Sequence, residues 1–389
     1  MDILSTSSVN SLVNSSRQSE YYKRVTPLLE KKNKFTELSS TWSSLKSNLS
    51  SFKSLLSNLK DVNAGGTFTA KTTQLSTEDY FSVTANSSAA LSTYDIRVEQ
   101  LAKYDRVMSN TVNSNDITAV TNGIYQFQVK SGDVDQTIEI SVDGTETNDE
   151  LMGMIAEAIN DAMSDAVSAS VFSPTSGTSK LSIVANETGS DNAITITDVS
   201  GSLLDSFGLD FASRSLIADD SSGGYSSSLS GLNSILDFNG ISVERSSNII
   251  DDLINDVTLS LKSAMEEGIP TVNVIVKNNV EAFKSDIKDF VDKFNESYQF
   301  VKNNYYSNED GSRGIFVGNA TALGMMQSFA DISYQQVEGI EEGQYSYLSE
   351  IGIEFDPSNG LSIADEDLLE EALEGNPDQV GQLFNSDLF

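Results

Sequence analysis

Fifty-seven Asp and Glu side chains are the main groups in this 389-residue sequence able to move protons or hold a cation, because histidine and cysteine are both absent. That absence removes imidazole bases, thiolate nucleophiles, disulfides and zinc sites built on Cys or His. Carboxylates alone could hydrolyse glycosides or bind calcium. The first needs two carboxyls at a set separation across a sugar cleft, usually beside an aromatic platform, and the lone tryptophan, Trp42, lies in a helical repeat instead. For the second, Asp219-Asp220-Ser221-Ser222-Gly223 and Asn308-Glu309-Asp310-Gly311-Ser312 are acidic loops without the alternating ligands and closing Glu of a calcium loop. Both read as solvated turns. No GxxxxGK phosphate loop, GxGxxG after a strand, or GxSxG elbow occurs. The sequence therefore predicts no enzyme, no metal and no cofactor.

Charge narrows the partners. A formal net charge of −33 repels phosphate backbones and anionic lipid surfaces, so neither nucleic acid nor membrane is expected to bind. Residues 1–60 nevertheless carry nine Lys/Arg against four Asp/Glu, while Gly314 to Phe389 contains no basic residue. Opposite ends of such a chain can attract one another at short range, within a molecule or between neighbours. No apolar run approaches the roughly 18 residues that span a bilayer, and residues 1–16 lack the basic start and apolar run of a signal peptide.

The elements that must carry any function follow from periodicity. Residues 1–24, rich in Ser and Asn, read as a flexible N-terminal segment. Phe35, Leu38, Trp42, Leu45, Leu49, Phe52, Leu56 and Leu59 then keep an unbroken 3-4 spacing, a heptad seam. Gly65 and Gly66 are expected to stop that helix. A second seam recurs far downstream at Val280, Phe283, Ile287, Phe290, Phe294, Tyr298, Val301 and Tyr305. Each stripe needs cover and each can cover the other, so the two chain ends are expected to pack as a helical stalk. Ala320 to Val337 is a third helical stretch.

Between the seams the period becomes two. Residues 94–98, 124–129 and 138–142 alternate as half-buried strands, Asn148 to Ala162 carries one helical stripe, and 167–172, 181–184 and 194–197 return to strands. Ala218 to Ser230, rich in Ser and Gly, reads as a flexible crossing. Asn239-Gly240 between two apolar runs is the strongest hairpin signal, and residues 356–360 form a second turn ahead of a short helix from Asp365. The fold class is α+β: a long-helix stalk bundle from both chain ends plus two β-rich head domains. The stalk is assigned to 25–66 and 273–389, the first head to 67–118 and 231–272, and the second head to 119–230.

Taken in order, these segments resemble one family, the flagellar filament cap proteins (FliD, or hook-associated protein 2). The resemblance starts with Ser11-Leu12-Val13, Glu20 and Pro27-Leu28, then runs through Trp42, Leu45, Lys46 and Phe52. It continues with Tyr94-Asp95-Ile96-Arg97-Val98-Glu99-Gln100-Leu101-Ala102, which is similar to the family's Y-x-I-x-V-x-Q-L-A signature. Asn148 to Val171 is similar to an insert shared by caps and flagellins. The most specific stretch is Phe238-Asn239-Gly240-Ile241 leading into Arg245 to Ile254 and Val257 to Leu261, followed by Phe290-Val291, Phe294-Asn295 and Leu348 to Phe384.

The resemblance implies a structural cap at the distal end of the bacterial flagellum, extracellular and exported through the flagellar secretion apparatus. Subunits are expected to form a closed homo-oligomeric ring that promotes flagellin polymerisation and prevents monomer leakage. Implied partners are other copies, flagellin and the hook–filament junction protein. Family members usually continue past Leu383-Phe384 into a helix implicated in export-chaperone contact; this chain stops at Phe389, so that contact is not expected of it. Two other readings stay open: a surface adhesin binding host glycans or mucin, and another flagellar axial protein. Candidate stalk-packing residues are Phe35, Leu38, Trp42, Leu45, Leu49, Phe52, Leu56, Phe283, Ile287, Phe290 and Phe294. Arg245, Asp251 and Asp252 are candidate lateral contacts, with solvated surface charge as the commoner reading.

Overall fold

The computed structural model describes residues 5–59, 67–211, 213–307, 311 and 313–384. The Gly65-Gly66 stop and most of the 308–312 loop lie outside the described residues. Contacts divide the chain into a unit formed by 1–71 with 278–389 and a unit formed by 72–277.

The first unit begins with helix α1 (Thr6–Glu20), capped by Ser5, whose hydroxyl accepts the Ser8 N–H. One π-helical turn (Tyr21–Val25) joins it to α2 (Thr26–Leu59). That turn has a local cause. Pro27 has no N–H to offer the Lys23 carbonyl and its ring would crowd it, so the backbone widens and the Thr26 N–H reaches back to the Tyr21 carbonyl. Residues 6–24 are therefore helical, where sequence predicted a flexible segment: a polar composition hid a helix that no Gly or internal Pro interrupts. None of α1 is buried.

The second unit, read along the chain, holds β1 (Lys71–Leu75), β2 (Phe81–Ala85), β3 (Ser92–Gln100), β4 (Tyr104–Met108), β5 (Val112–Asn113), β6 (Gly123–Ser131), β7 (Val134–Val142), helix α3 (Asn148–Met163), β8 (Val167–Phe172), β9 (Thr178–Thr188), β10 (Thr195–Ser200), β11 (Gly224–Tyr225), β12 (Ser234–Phe238), β13 (Ile241–Arg245), β14 (Ile249–Ile254), β15 (Val257–Leu261) and β16 (Val272–Asn278). One core lies between the sheets β1-β16-β3-β12-β13 and β14-β15-β2, around Phe81, Ile96, Leu236, Leu259 and Val274. The other lies between β10-β6-β7, α3 and the sheet centred on β9, around Phe127, Leu151, Ile155, Ile183 and Phe207. Antiparallel alternation buries one face of each strand, as in β7, where Ile138, Ile140 and Val142 point inward. Helix α3 starts with a reciprocal capping box between Thr147 and Glu150.

Two sequence readings shift here. β4 and β5 pair with β9 and put Val107 in the second core, so residues 104–113 belong with the lobe that sequence began at 119. The β6–β7 hairpin turns at Gly132-Asp133. The 218–230 stretch is not a free crossing: β11 pairs with β4, and Tyr225 is buried. The Asn239-Gly240 hairpin forms as read, both residues holding the positive φ of a tight two-residue turn, at 52° and 84°.

Back in the first unit, α4 (Val280–Tyr305), α5 (Ala320–Tyr334), the hairpin β17 (Ile353–Asp356) and β18 (Gly360–Ile363), α6 (Glu366–Gly375) and α7 (Pro377–Phe384) close the helical core. The hairpin is held on α4 by Asn295, whose side-chain amide donates to the Leu361 carbonyl and accepts its N–H, both at 2.7 Å. Gly360, at φ 94°, lets the chain pass there, since a Cβ would lie 2.0 Å from Asn295 Oδ1.

Candidate assembly surfaces

The seam between α2 and α4 runs antiparallel. Phe52 meets Phe290 and Phe294 with ring centroids 5.5 and 6.1 Å apart, and further along Leu45 packs with Val301. Phe294 is the hub, touching the rings of Phe52, Phe290, Phe329 and Phe355. Phe384 of α7 stacks on Phe68 and meets Phe290 edge-on, so the last described turn seals the same core. Of the residues named from sequence, Leu45, Phe52, Leu56, Phe283, Ile287, Phe290 and Phe294 are buried, and Leu38, Trp42 and Leu49 are half-buried. Trp42 packs on Phe316, 4.5 Å between centroids, a contact the periodicity did not show.

Phe35 departs from expectation. It is 59% exposed: α4 ends at Tyr305, and the 313–317 segment lies against the helix at Glu30, Asn33, Lys34 and Glu37 without burying the Phe35 ring. The stripe does not stop there. Tyr21, Leu28 and Phe35 continue the seven-residue repeat of Trp42, Leu49 and Leu56, and all three are exposed, as are Leu12, Val13 and Val25. From Leu12 to Phe35 the helix thus leaves a run of apolar side chains exposed, with Arg17, Lys23, Arg24, Lys31, Lys32 and Lys34 interleaved. A solvent-facing stripe of this length marks an interaction surface.

The sheet unit carries a charged clasp that sequence reasoning missed. Asp105 is fully buried and takes both guanidinium nitrogens of Arg214, Nη1 at 3.1 Å, together with the Ile194 N–H at 2.8 Å. The Arg214 guanidinium also stacks over Tyr225, 4.1 Å from the ring centroid. Burial, reinforced by the Asp105 carboxylate against the opposing pull of Arg214, pushes the Tyr225 phenol up to about 12. Tyr225 then keeps its proton longer folded than unfolded. The sheet unit should hold its stability below pH 10 and lose it as pH rises from about 10 to about 12. In tyrosinate absorbance against pH the latest component should be absent in Tyr225→Phe, while that of Tyr298, which burial also pushes up, stays.

Among the described residues no cluster of three or more His, Cys, Asp or Glu is placed to hold a metal, and no helix is long and apolar enough to cross a membrane. The Asp219–Gly223 loop is a local turn. Asp219 Oδ1 accepts the Ser221 hydroxyl at 2.6 Å and the Ser221 and Ser222 N–H groups, bonds that hold its carboxyl below the usual range, the hydroxyl foremost, and Lys180 Nζ closes the loop on the Asp220 and Ser222 carbonyls.

The description "Flagellar hook-associated protein 2 N-terminus" matches residues 5–105, and "Flagellar hook-associated protein 2 C-terminus" matches 231–388, together well over half of the sequence. The chain belongs to the flagellar hook-associated protein 2 family. Flagellar hook-associated protein 2 of Escherichia coli O157:H7 is 29% identical over 340 residues, covering 82% of this chain and 69% of that protein. The B-type flagellar hook-associated protein 2 of Pseudomonas aeruginosa is 26% identical over 337 residues, covering 84% and 68%. The chain thus spans about two thirds of the length of these curated relatives. A crystal structure of the D1-D2-D3 domains of the Escherichia coli flagellar cap protein FliD matches with a TM-score of 0.64 at 27% identity, covering 90% of this chain and 91% of that one.

Within this hook-associated protein 2 fold, the candidate lateral residues sit on β13 and β14, consecutive strands of the sheet unit that belong to different sheets. Arg245 Nε lies 2.9 Å from both Asp252 carboxylate oxygens, and this contact holds the Asp252 carboxyl below its usual range. Arg245 is therefore matched within its own chain, because β13 and β14 bring the two together. Asp251, next to it, is exposed. As a largely exposed pair, Arg245–Asp252 contributes at most about 1 kcal/mol.

Proposed function

We propose that this chain caps the distal end of the bacterial flagellar filament as a closed homo-oligomeric ring, promoting flagellin polymerisation and retaining monomer at the growing tip. The observation that carries the reading is family membership at both chain ends, over a fold matched across nine-tenths of its length by the D1-D2-D3 domains of a flagellar cap protein. The role is structural. Flagellin, the hook–filament junction protein and further copies of the chain are the partners, and the flagellar secretion apparatus is the export route. The apolar, basic stripe of residues 12–35 supports docking at the filament, since it is surface that folding of the described residues leaves exposed. No observation favours the adhesin reading over this one.

The test is restoration of filaments. Purified chain added to capless cells that shed flagellin should restore filament growth and lower the flagellin found in the medium. Unchanged shedding, with the chain shown to be folded, would overturn the proposal.

A further inference from the structure

A groove of about 270 Å³ runs between α2 and α5, formed by Trp42, Leu45, Leu49 and Met325 and edged by Lys46 and Lys53. Both ammonium groups are exposed and make no ion pair or hydrogen bond among the described residues. Two free cations along a groove select an acidic helix face. The same unit presents one. Helix α6 buries Leu369, Ala372 and Leu373, is tied to α4 by Glu370 on Lys284 at 3.0 Å, and turns Asp367, Leu368, Glu371 and Glu374 outward.

The spacing matches as well as the sign. Asp367 and Glu374 stand seven residues apart, as do Lys46 and Lys53, which is two helical turns or about 10.5 Å in each case. Laid parallel, the two helices bring both charge pairs into register, Asp367 with Lys46 and Glu374 with Lys53, and set Glu371 beside Ser50. Helix α6 cannot fill its own groove, because its apolar face and Glu370 fix it at the start of α4.

We infer that α6 of one copy docks in the α2–α5 groove of the next. The contact is heterologous: each copy offers a groove on one surface and a helix on another, so it passes from copy to copy and closes into a ring when the rotation permits. The inference rests on the self-association proposed above and names its contact.

The cysteine-free sequence makes the test direct. Chain carrying Ser50→Cys, mixed with chain carrying Glu371→Cys, should form a disulfide-linked pair on mild oxidation; either alone should not give that product. The charge reversals Lys46→Glu/Lys53→Glu and Asp367→Lys/Glu374→Lys should each raise the concentration needed for assembly roughly tenfold or more, and the chain carrying all four should recover. At concentrations where every form is unassembled, Trp42 emission and far-UV circular dichroism should match those of the unaltered chain, since all four side chains are exposed. If the unaltered chain assembles while the reversals change nothing and no mixed disulfide forms, this contact is overturned and ring formation stands. If the unaltered chain remains monomeric at every concentration and no mixed disulfide forms, both fail.

Discussion

Phe294→Ala is expected to destabilise the helical unit by about 3–5 kcal/mol, the loss seen when a buried aromatic is cut back in a core that cannot collapse around the hole. The site meets that condition. Phe294 is 1% exposed and wedged among rings that arrive from α2, α4, α5 and the β17–β18 hairpin, each fixed by its own backbone. The measurement is denaturant unfolding followed by tryptophan emission. Trp42 is the lone tryptophan and sits on Phe316 in this unit, so its signal reports the helices and not the sheets. Leu28→Ala, on the exposed stripe, should leave the same midpoint within about 0.5 kcal/mol. Equal shifts for the two variants would refute the assignment of buried seam and open stripe.

Arg214→Met is the second large effect. It leaves the Asp105 carboxylate sealed in the sheet unit without its cation, and removing one partner of a buried pair costs about 3–5 kcal/mol. The loss should appear in far-UV circular dichroism of the strands and in faster proteolysis near 214–225, with Trp42 emission unmoved. Replacing both partners by apolar residues should recover part of it, because no buried charge is then stranded. A double variant as unstable as Arg214→Met would mean that the pair contributes through shape alone.

The sequence was legible where periodicity is local. Both seams, the Asn239-Gly240 hairpin and α3 with its stripe could be read because each signal lies within a few turns or one strand pair. It was illegible where partners meet across long separations. Asp105 alternates like any surface residue of a strand, and nothing near it announces Arg214, brought to it by the β4–β11 pairing. Phe35 keeps the heptad perfectly, yet periodicity states only that a helix has an apolar side, not where its partner ends. In the N-terminal segment, hydroxyl-rich composition outweighed the absence of helix breakers. The head boundary slipped for a related reason: strand spacing cannot tell which sheet 104–113 will join.

One feature of the topology governs the order of events during folding. Phe52 and its ring partners on α4 flank the whole 72–277 segment, so a chain delivered from its N-terminus presents α2 long before anything exists to cover it. Closing so distant a contact is entropically slow, while the local hairpins β6–β7, β8–β9 and β12–β13 can pair as soon as they emerge. The lobe around α3 is then the early product, and the helices are the latch thrown last, together with the β2–β15 and β3–β16 pairings that span nearly the same separation. Until that moment the leading helix stays sticky, and a carrier or a neighbouring subunit has a window in which to seize it.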